Sequence, residues 1–217
     1  MTAGARAIGA YRIAIALLAA TALGFNAYRS ALSGVLVNFF SYFTIESNLL
    51  GVVVFLVGGF SALTGRRPVP DLLRGAAALY LVVTGVVYAV ALAQYDTPQV
   101  IPWVNDVVHR VTPLLFAADW LIDPPRRPLA FPRALAWLVF PLLYLLYTLV
   151  RGPIVGWYPY PFLDPREHGY LHVAVGGIIV TAAFLAAAAL LCWAGTLLYA
   201  RRLRATTTAV KPAHSQR

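Results

Sequence analysis

The chain has 217 residues, of which 60% are hydrophobic and only 12% are charged, and its mean hydropathy is +0.73. Soluble domains carry about 25% charged residues, so this composition excludes a soluble globular protein. The formal net charge of +9 does not indicate a nucleic-acid partner, because the basic residues lie between apolar runs. A helical membrane protein remains, and this length accommodates about six spans with short loops.

Six apolar segments predict an all-α, polytopic bundle of six transmembrane helices. Five of them contain no Lys, Arg, Asp or Glu: 13–28, 47–65, 75–95, 134–150 and 169–200. The fourth span in chain order, 104–122, is unusual because it carries several ionisable residues. The sequence therefore predicts one transmembrane domain over 1–204 and a disordered cytoplasmic tail over 205–217.

Basic residues predict the orientation of the bundle. Thirteen of the 17 lie at the two termini or in the loops that follow the second and fourth spans, and three lie in the opposite loops. Such a bias predicts that both termini are cytoplasmic. The first apolar run has no small-residue cleavage site after it, so it is interpreted as a retained span and not as a signal peptide.

Polar side chains collect at the outer ends of the second and fourth spans, where each is costly and is a functional hypothesis. Thr44 and Asn48 are spaced i, i+4 on one helix face, and Asn105 and His109 are spaced in the same way on another. A hydroxyl needs a base to take its proton, and the pKa of histidine suits that task. Asn48 and Asn105 are candidates for orienting the imidazole or stabilising an oxyanion. A threonine in a membrane helix also commonly bonds its own helix, so spacing alone leaves both roles open.

The remaining charged residues of these spans have simpler interpretations. Asp106 and Arg110, at i and i+4, are expected to form an intrahelical pair. Glu46 is expected to pair with Arg110 or with the outer loop. Asp119 lies roughly 15 Å deeper than His109 at the helical rise, so it is expected to pair near the cytoplasmic end.

The loop 151–170, between the fifth and sixth spans, is rich in proline and aromatic residues. Trp157, Tyr158, Tyr160 and Phe162 are candidates for contacting a substrate. The loop is compatible with a lid over the outer mouth and equally with a position in the headgroup layer, and its aromatic residues also suit interfacial anchors.

A metal site is an alternative explanation for the histidines. His168 and His172 have the i, i+4 spacing that lets two imidazoles bind one metal ion. His109, with Asp106 or Asp164, would then complete the ligand set of a metal-dependent hydrolase. This spacing is not specific, and the preferred prediction has no metal and no cofactor.

Three separated segments resemble a known family. They are Tyr-Phe-Thr-Ile-Glu-Ser-Asn at 42–48, Trp-Val-Asn-Asp-Val-Val-His at 103–109 and Trp-Tyr-Pro-Tyr-Pro-Phe-Leu-Asp at 157–164. Through them, and over most of its length, the chain resembles the androgen-induced and androgen-dependent TFPI-regulating protein family, in its bacterial branch. The resemblance implies an integral membrane hydrolase that cleaves esters of fatty acids with hydroxy fatty acids, and the bacterial look of the chain suggests a bacterial plasma membrane. It implies Thr44 as nucleophile and His109 as the histidine of the site, with Asp106 where animal members have a further histidine.

The sequence thus predicts a multi-pass membrane enzyme that hydrolyses a fatty-acyl ester, with Thr44 as nucleophile and His109 as general base. Its expected partners are membrane lipid and a lipid-ester substrate, without nucleic acid. Two alternatives stay open: a non-catalytic protein that binds or transports lipid, and the metal-dependent hydrolase. Transporters often contain internal repeats, and the sequence has none that we detect.

Overall fold

A computed structural model describes residues 2–96 and 100–210 of the chain, and these residues form helices and short connections without any β-strand. The α-helices are α1 (Ala3–Leu32), α2 (Leu36–Phe39), α3 (Phe43–Thr64), α4 (Asp71–Val87), α5 (Pro102–Asp106), α6 (Thr112–Ile122), α7 (Phe131–Ala134), α8 (Val139–Val155) and α9 (Pro165–Val210). Two π-helices, Tyr88–Leu92 and Val107–Val111, follow α4 and α5. Short 3-10 helices occupy Ala93–Tyr95, Leu135–Leu138 and Pro161–Leu163, and α9 is kinked at Gly169.

Five helical segments of the described chain are long and apolar enough to cross a membrane, which confirms a multi-pass helical membrane protein. They are Ala3–Leu32, Phe43–Thr64, Asp71–Tyr95, Phe131–Val155 and Pro165–Ala205. The fourth predicted span is helical from Pro102 to Ile122, through α5, a π-helix and α6, but it is not one of these five. Six spans with cytoplasmic termini therefore stay a prediction. The disordered cytoplasmic tail over 205–217 also stays a prediction. The helix α9 runs to Val210, and residues 211–217 lie outside the described residues.

Small residues let α1 and α3 approach closely. Gly9 of α1 and Gly59 of α3 face each other, and a Cβ on Gly59 would lie only 2.9 Å from the Gly9 carbonyl oxygen. Buried Ala16 continues the same contact face of α1. Close backbone approach at glycine and alanine is a common way for helices to pack in lipid, where burial of apolar groups gives little driving force.

An aromatic core joins α3, α4, α8 and α9 around Phe43. The Phe43 ring makes edge contacts with Tyr80, Tyr144 and Phe184, with ring centroids 5.2 to 6.0 Å apart. Phe140 packs against Phe43 and Tyr80. Phe43 is the first residue of α3 and immediately precedes Thr44, so this core fixes the start of that helix.

A buried ion cluster lies at the opposite end of the bundle. Asp119 accepts hydrogen bonds from Arg12 Nε at 2.7 Å and from Arg74 Nη2 at 2.9 Å. All three residues are at most 6% exposed. The Asp123 carboxylate also accepts a hydrogen bond from Arg12 Nη2, at 2.8 Å. The expected ion pairing of Asp119 is confirmed, and its partners come from α1 and α4.

Candidate active site

Thr44 and His109 lie against each other at the end of the bundle remote from the ion cluster. Thr44 is in the first turn of α3, and His109 is in the π-helix Val107–Val111. The Thr44 oxygen Oγ1 is 3.3 Å from His109 Nε2, within hydrogen-bond distance. Thr44 is 5% exposed, so this contact is largely shielded from solvent. The two residues that the sequence singles out as nucleophile and base are neighbours in space.

The helix around His109 departs from regular α-helical hydrogen bonding, and this leaves one backbone carbonyl without a backbone donor. Its π-helix is closed by the N–H of Thr112, which donates to the Val107 carbonyl five residues earlier. In a π-helix the N–H of each residue donates to the carbonyl five residues earlier, so the donor to the Val108 carbonyl would be Pro113. Proline has no N–H, so the helix supplies no backbone donor to the Val108 carbonyl. Single-turn π-helices of this kind are frequent at functional sites.

Asn48 supplies the missing donor. Its amide nitrogen donates to the Val108 carbonyl at 3.1 Å and to the Thr44 carbonyl at 2.8 Å, while its oxygen accepts from the Thr112 hydroxyl at 2.7 Å. Asn48 is almost fully buried, and its amide is directed at these groups rather than at His109. Its role in the structure is to hold the first turns of α3 against the π-helix.

Asn105 is the amide that contacts the imidazole. Its oxygen Oδ1 is 2.8 Å from His109 Nδ1. Its nitrogen Nδ2 donates to the Tyr88 hydroxyl at 2.6 Å and to the Asp96 carboxylate at 2.9 Å. Because a carboxylate only accepts hydrogen bonds, the amide nitrogen must face Asp96, and the oxygen must face the histidine. His109 therefore carries its proton on Nδ1, and the Nε2 lone pair faces the Thr44 hydroxyl.

Tyr88 and Asp96 complete this network, and the sequence analysis missed both. The Tyr88 ring stacks on the His109 ring with centroids 4.2 Å apart, and its hydroxyl donates to Asp96 at 2.5 Å. Asp96 is the only charged residue of 96–101, directly after the third apolar run. This isolated acidic residue was the only hint of Asp96 in the sequence, and its contact with Asn105 is visible only in the folded chain.

Tyr160 brings the outer loop to Thr44. Its hydroxyl accepts a hydrogen bond from the Thr44 N–H at 3.3 Å and is 3.4 Å from Thr44 Oγ1. The residue is buried, and its ring packs edge-on against Tyr42. Burial raises the pKa of Tyr160 to about 12, so the phenol keeps its proton at neutral pH and can donate a hydrogen bond.

Two cavities meet at Thr44. A chamber of about 520 Å³ has walls of mixed polarity, and we call it the polar chamber because His109, Asn105 and Asp96 line it. A cleft of about 110 Å³ on the other side has almost entirely apolar walls. Thr44 and Tyr160 line both cavities, so Thr44 stands where the polar chamber joins the apolar cleft.

The other three aromatic residues predicted to contact substrate occupy different places. Trp157 lines the polar chamber, and Phe162 lines the apolar cleft. Tyr158 lines neither cavity, because its ring packs on Gly152, where an added Cβ would lie 2.0 Å from the ring. The loop is thus inserted over the site rather than extended away from the bundle.

The charged residues beside the site form local pairs. Arg110 pairs with Asp106, which confirms the predicted intrahelical contact. Glu46 is half-buried and forms no ion pair with any residue that the structure describes, so its expected pairing is not observed. His168 and His172 lie on α9 with ring centroids 5.1 Å apart, and both are exposed. Within 2–96 and 100–210, no group of three His, Cys, Asp or Glu residues is placed to hold a metal ion.

Comparisons with protein-family models, curated proteins and solved structures give no match to this chain. The functional conclusion therefore depends on the geometry of the site, and on the three segments that resemble a family of membrane hydrolases.

Proposed function

We propose that this protein is an integral membrane hydrolase that cleaves a fatty-acyl ester, with Thr44 as nucleophile and His109 as general base. The observation that carries the proposal is the line from Thr44 Oγ1 through both nitrogens of His109 to Asn105 Oδ1, with separations of 3.3 and 2.8 Å. Nucleophile, imidazole and an orienting group in this order are the common arrangement of nucleophilic hydrolases on unrelated folds.

The first half of the reaction acylates the threonine. Thr44 Oγ1 attacks the ester carbonyl carbon while His109 Nε2 accepts the hydroxyl proton. The bond to the alcohol oxygen then breaks, and His109 returns the proton to that oxygen. In the second half, His109 takes a proton from water as the hydroxide attacks the acyl carbon, and it returns that proton to Thr44 Oγ1 as the bond between this oxygen and the acyl carbon breaks. The products are a fatty acid and an alcohol.

Tyr160 and the Thr44 backbone are the groups best positioned to stabilise the oxyanion. The Tyr160 O–H and the Thr44 N–H both lie beside Thr44 Oγ1, and a carbonyl oxygen that becomes negative there would replace their weak mutual hydrogen bond of 3.3 Å as the acceptor of both donors. Asn48 was a sequence-based candidate for this role, but its amide is committed to two backbone carbonyls. We therefore assign the oxyanion contacts to Tyr160 and to the backbone of Thr44.

The location and substrate class follow from the same proposal. We infer six spans with cytoplasmic termini, because the basic residues are biased to one side and the segment 102–122 is helical. The resemblance to the bacterial branch of the family is the reason for proposing a bacterial plasma membrane. The three family-like segments favour esters of fatty acids with hydroxy fatty acids.

His109→Ala is expected to lower hydrolysis of p-nitrophenyl butyrate roughly 10²- to 10⁴-fold in purified, detergent-solubilised protein, because the general base is lost. His172→Ala, which removes an exposed imidazole outside both cavities, is the control and should retain native activity. Addition of a chelator should change neither result. Loss of native activity on chelation would instead favour the metal-dependent enzyme, and folded protein that binds lipid without any turnover would favour a non-catalytic lipid-binding protein.

Gly85→Val is expected to lower the same activity roughly 10²-fold by displacing His109. A Cβ at Gly85 would lie 2.9 Å from Pro113 Cβ and 3.2 Å from the His109 carbonyl oxygen, so the π-helix must shift away from α4. Gly24→Val is the matched control, since a Cβ there has no atom within 4 Å among the described residues apart from its chain neighbours and the backbone of its own helix. Equal activity of the two variants would show that His109 does not need this packing.

A further inference from the structure

We propose that the apolar cleft beside Thr44 binds the acyl chain of the substrate, and that the chain enters it sideways from the bilayer between α8 and α9. This inference rests on the proposed hydrolase function, and it adds the orientation of the substrate and its route.

The position of the base fixes the orientation. His109 lines the polar chamber and not the cleft. Since His109 must return a proton to the departing alcohol oxygen, the alcohol half of the ester lies in the chamber. The carbonyl carbon is bonded at Thr44, which faces both cavities, so the acyl half extends into the cleft on the other side.

The walls of the cleft have the chemistry of an acyl-chain site. They come from four helices and the outer loop, and they include Val83, Leu145, Phe162 and Phe184. Each methylene that moves from water onto such a surface gains free energy, and a charged or strongly polar group would lose its hydration there. A fatty-acyl chain fits this lining, and the alcohol half fits the polar chamber better.

The cleft continues into a groove that faces outward between α8 and α9. This groove has a volume of about 610 Å³ and shares Leu145, Gly177 and Thr181 with the cleft. Ile178, on its wall, is 70% exposed, as expected for a side chain in contact with lipid. The shared residues form the passage from the outside of the bundle to Thr44.

Gly177 keeps the passage open. A Cβ at this position would have only one neighbour within 4 Å, the Leu145 side chain at 4.0 Å. A larger side chain at position 177 can therefore be accommodated, and it would occupy the space through which an acyl chain passes. Thr181, one turn further along α9, borders the same passage and provides a second point of obstruction.

The test compares the hydrolysis of p-nitrophenyl palmitate with that of p-nitrophenyl butyrate, for protein reconstituted in lipid nanodiscs. Gly177→Phe and Thr181→Phe are expected to lower the ratio of kcat/KM for palmitate to that for butyrate at least tenfold. Ile179→Phe is the control, because Ile179 is 63% exposed on α9 and borders none of the three cavities, and the ratio should stay native. The ratio is independent of the fraction of folded protein, so partial misfolding of a variant does not mimic the effect.

Two results would overturn the proposal in different ways. A native ratio in both Gly177→Phe and Thr181→Phe, with hydrolysis intact, would show that the acyl chain does not use this passage while the hydrolase function stands. If the native protein hydrolyses neither ester, the proposed function itself fails, and the acyl-chain assignment fails with it.

Discussion

Thr44→Ala is expected to lower ester hydrolysis roughly 10³-fold or more, because the variant lacks the attacking oxygen and the residues of such a unit act together. Thr44→Ser retains a hydroxyl at the same position and should keep part of the activity. The measurement is kcat/KM for p-nitrophenyl butyrate with purified protein, at matched concentrations of folded enzyme.

Ser47→Ala is the control for this substitution. Ser47 lies one turn after Thr44 on α3, is fully buried, and its hydroxyl has no hydrogen-bond partner among the residues that the structure describes. Removing this hydroxyl is expected to leave activity native. Comparable losses in Thr44→Ala and Ser47→Ala would mean that α3 tolerates neither change for structural reasons, and would contradict a special role for Thr44.

Asp119→Asn is expected to destabilise the protein by about 3 to 5 kcal/mol, because it removes the carboxylate that joins two buried guanidinium groups. Arg12 and Arg74 each donate to Asp119, and each is at most 6% exposed. Without that charge, both arginines stay buried with incomplete compensation, from Asp123 for Arg12 and from Asp71 and Asp123 for Arg74. Thermal or denaturant unfolding in detergent, followed by tryptophan fluorescence, measures the change.

Asp106→Asn provides the comparison for an exposed pair. Asp106 pairs with Arg110 one turn away, and both side chains are about half exposed. Such pairs contribute about 0 to 1 kcal/mol, so unfolding should change little. If the two substitutions destabilise the protein equally, the buried cluster is not the element that holds α1, α4 and α6 together.

Periodicity and the bias of basic residues predict that Thr44 and His109 lie at the same outer end of the bundle, and the family resemblance singles out these two residues as a pair. Apolar runs locate the spans, and the polar residues at their outer ends have the i, i+4 spacing that gives one face to each helix. Periodicity does not give the rotation of each helix about its own axis in the bundle or the distance between two helices. It therefore does not show that Arg12 and Arg74 are the partners of Asp119.

The two asparagines show the same limit at the site. Asn48 and Asn105 have equivalent spacing to Thr44 and His109, yet only Asn105 contacts the imidazole. Asn48 is diverted because Pro113 leaves a carbonyl of the π-helix without a backbone donor. Helical spacing assumes a regular helix, so it does not predict what a side chain does where the backbone departs from one.

Asp96 and Tyr160 were beyond prediction by spacing for another reason. Both lie in connections outside the long helices, and their contacts with Asn105 and Thr44 join residues from different parts of the chain. The sequence identified Tyr160 only as one of several aromatic residues in a stiff loop. Its position beside the nucleophile depends on how that loop folds over the bundle.

The central claim is that Thr44 is the nucleophile, and locating the covalent adduct of a fluorophosphonate probe tests it most directly. Folded, purified protein is treated with the probe, digested and analysed by tandem mass spectrometry. A single phosphonylated peptide is expected, with the modification on Thr44, and no adduct is expected in His109→Ala. An adduct on another residue, or no adduct on protein shown to be folded, would rule out Thr44 as the nucleophile.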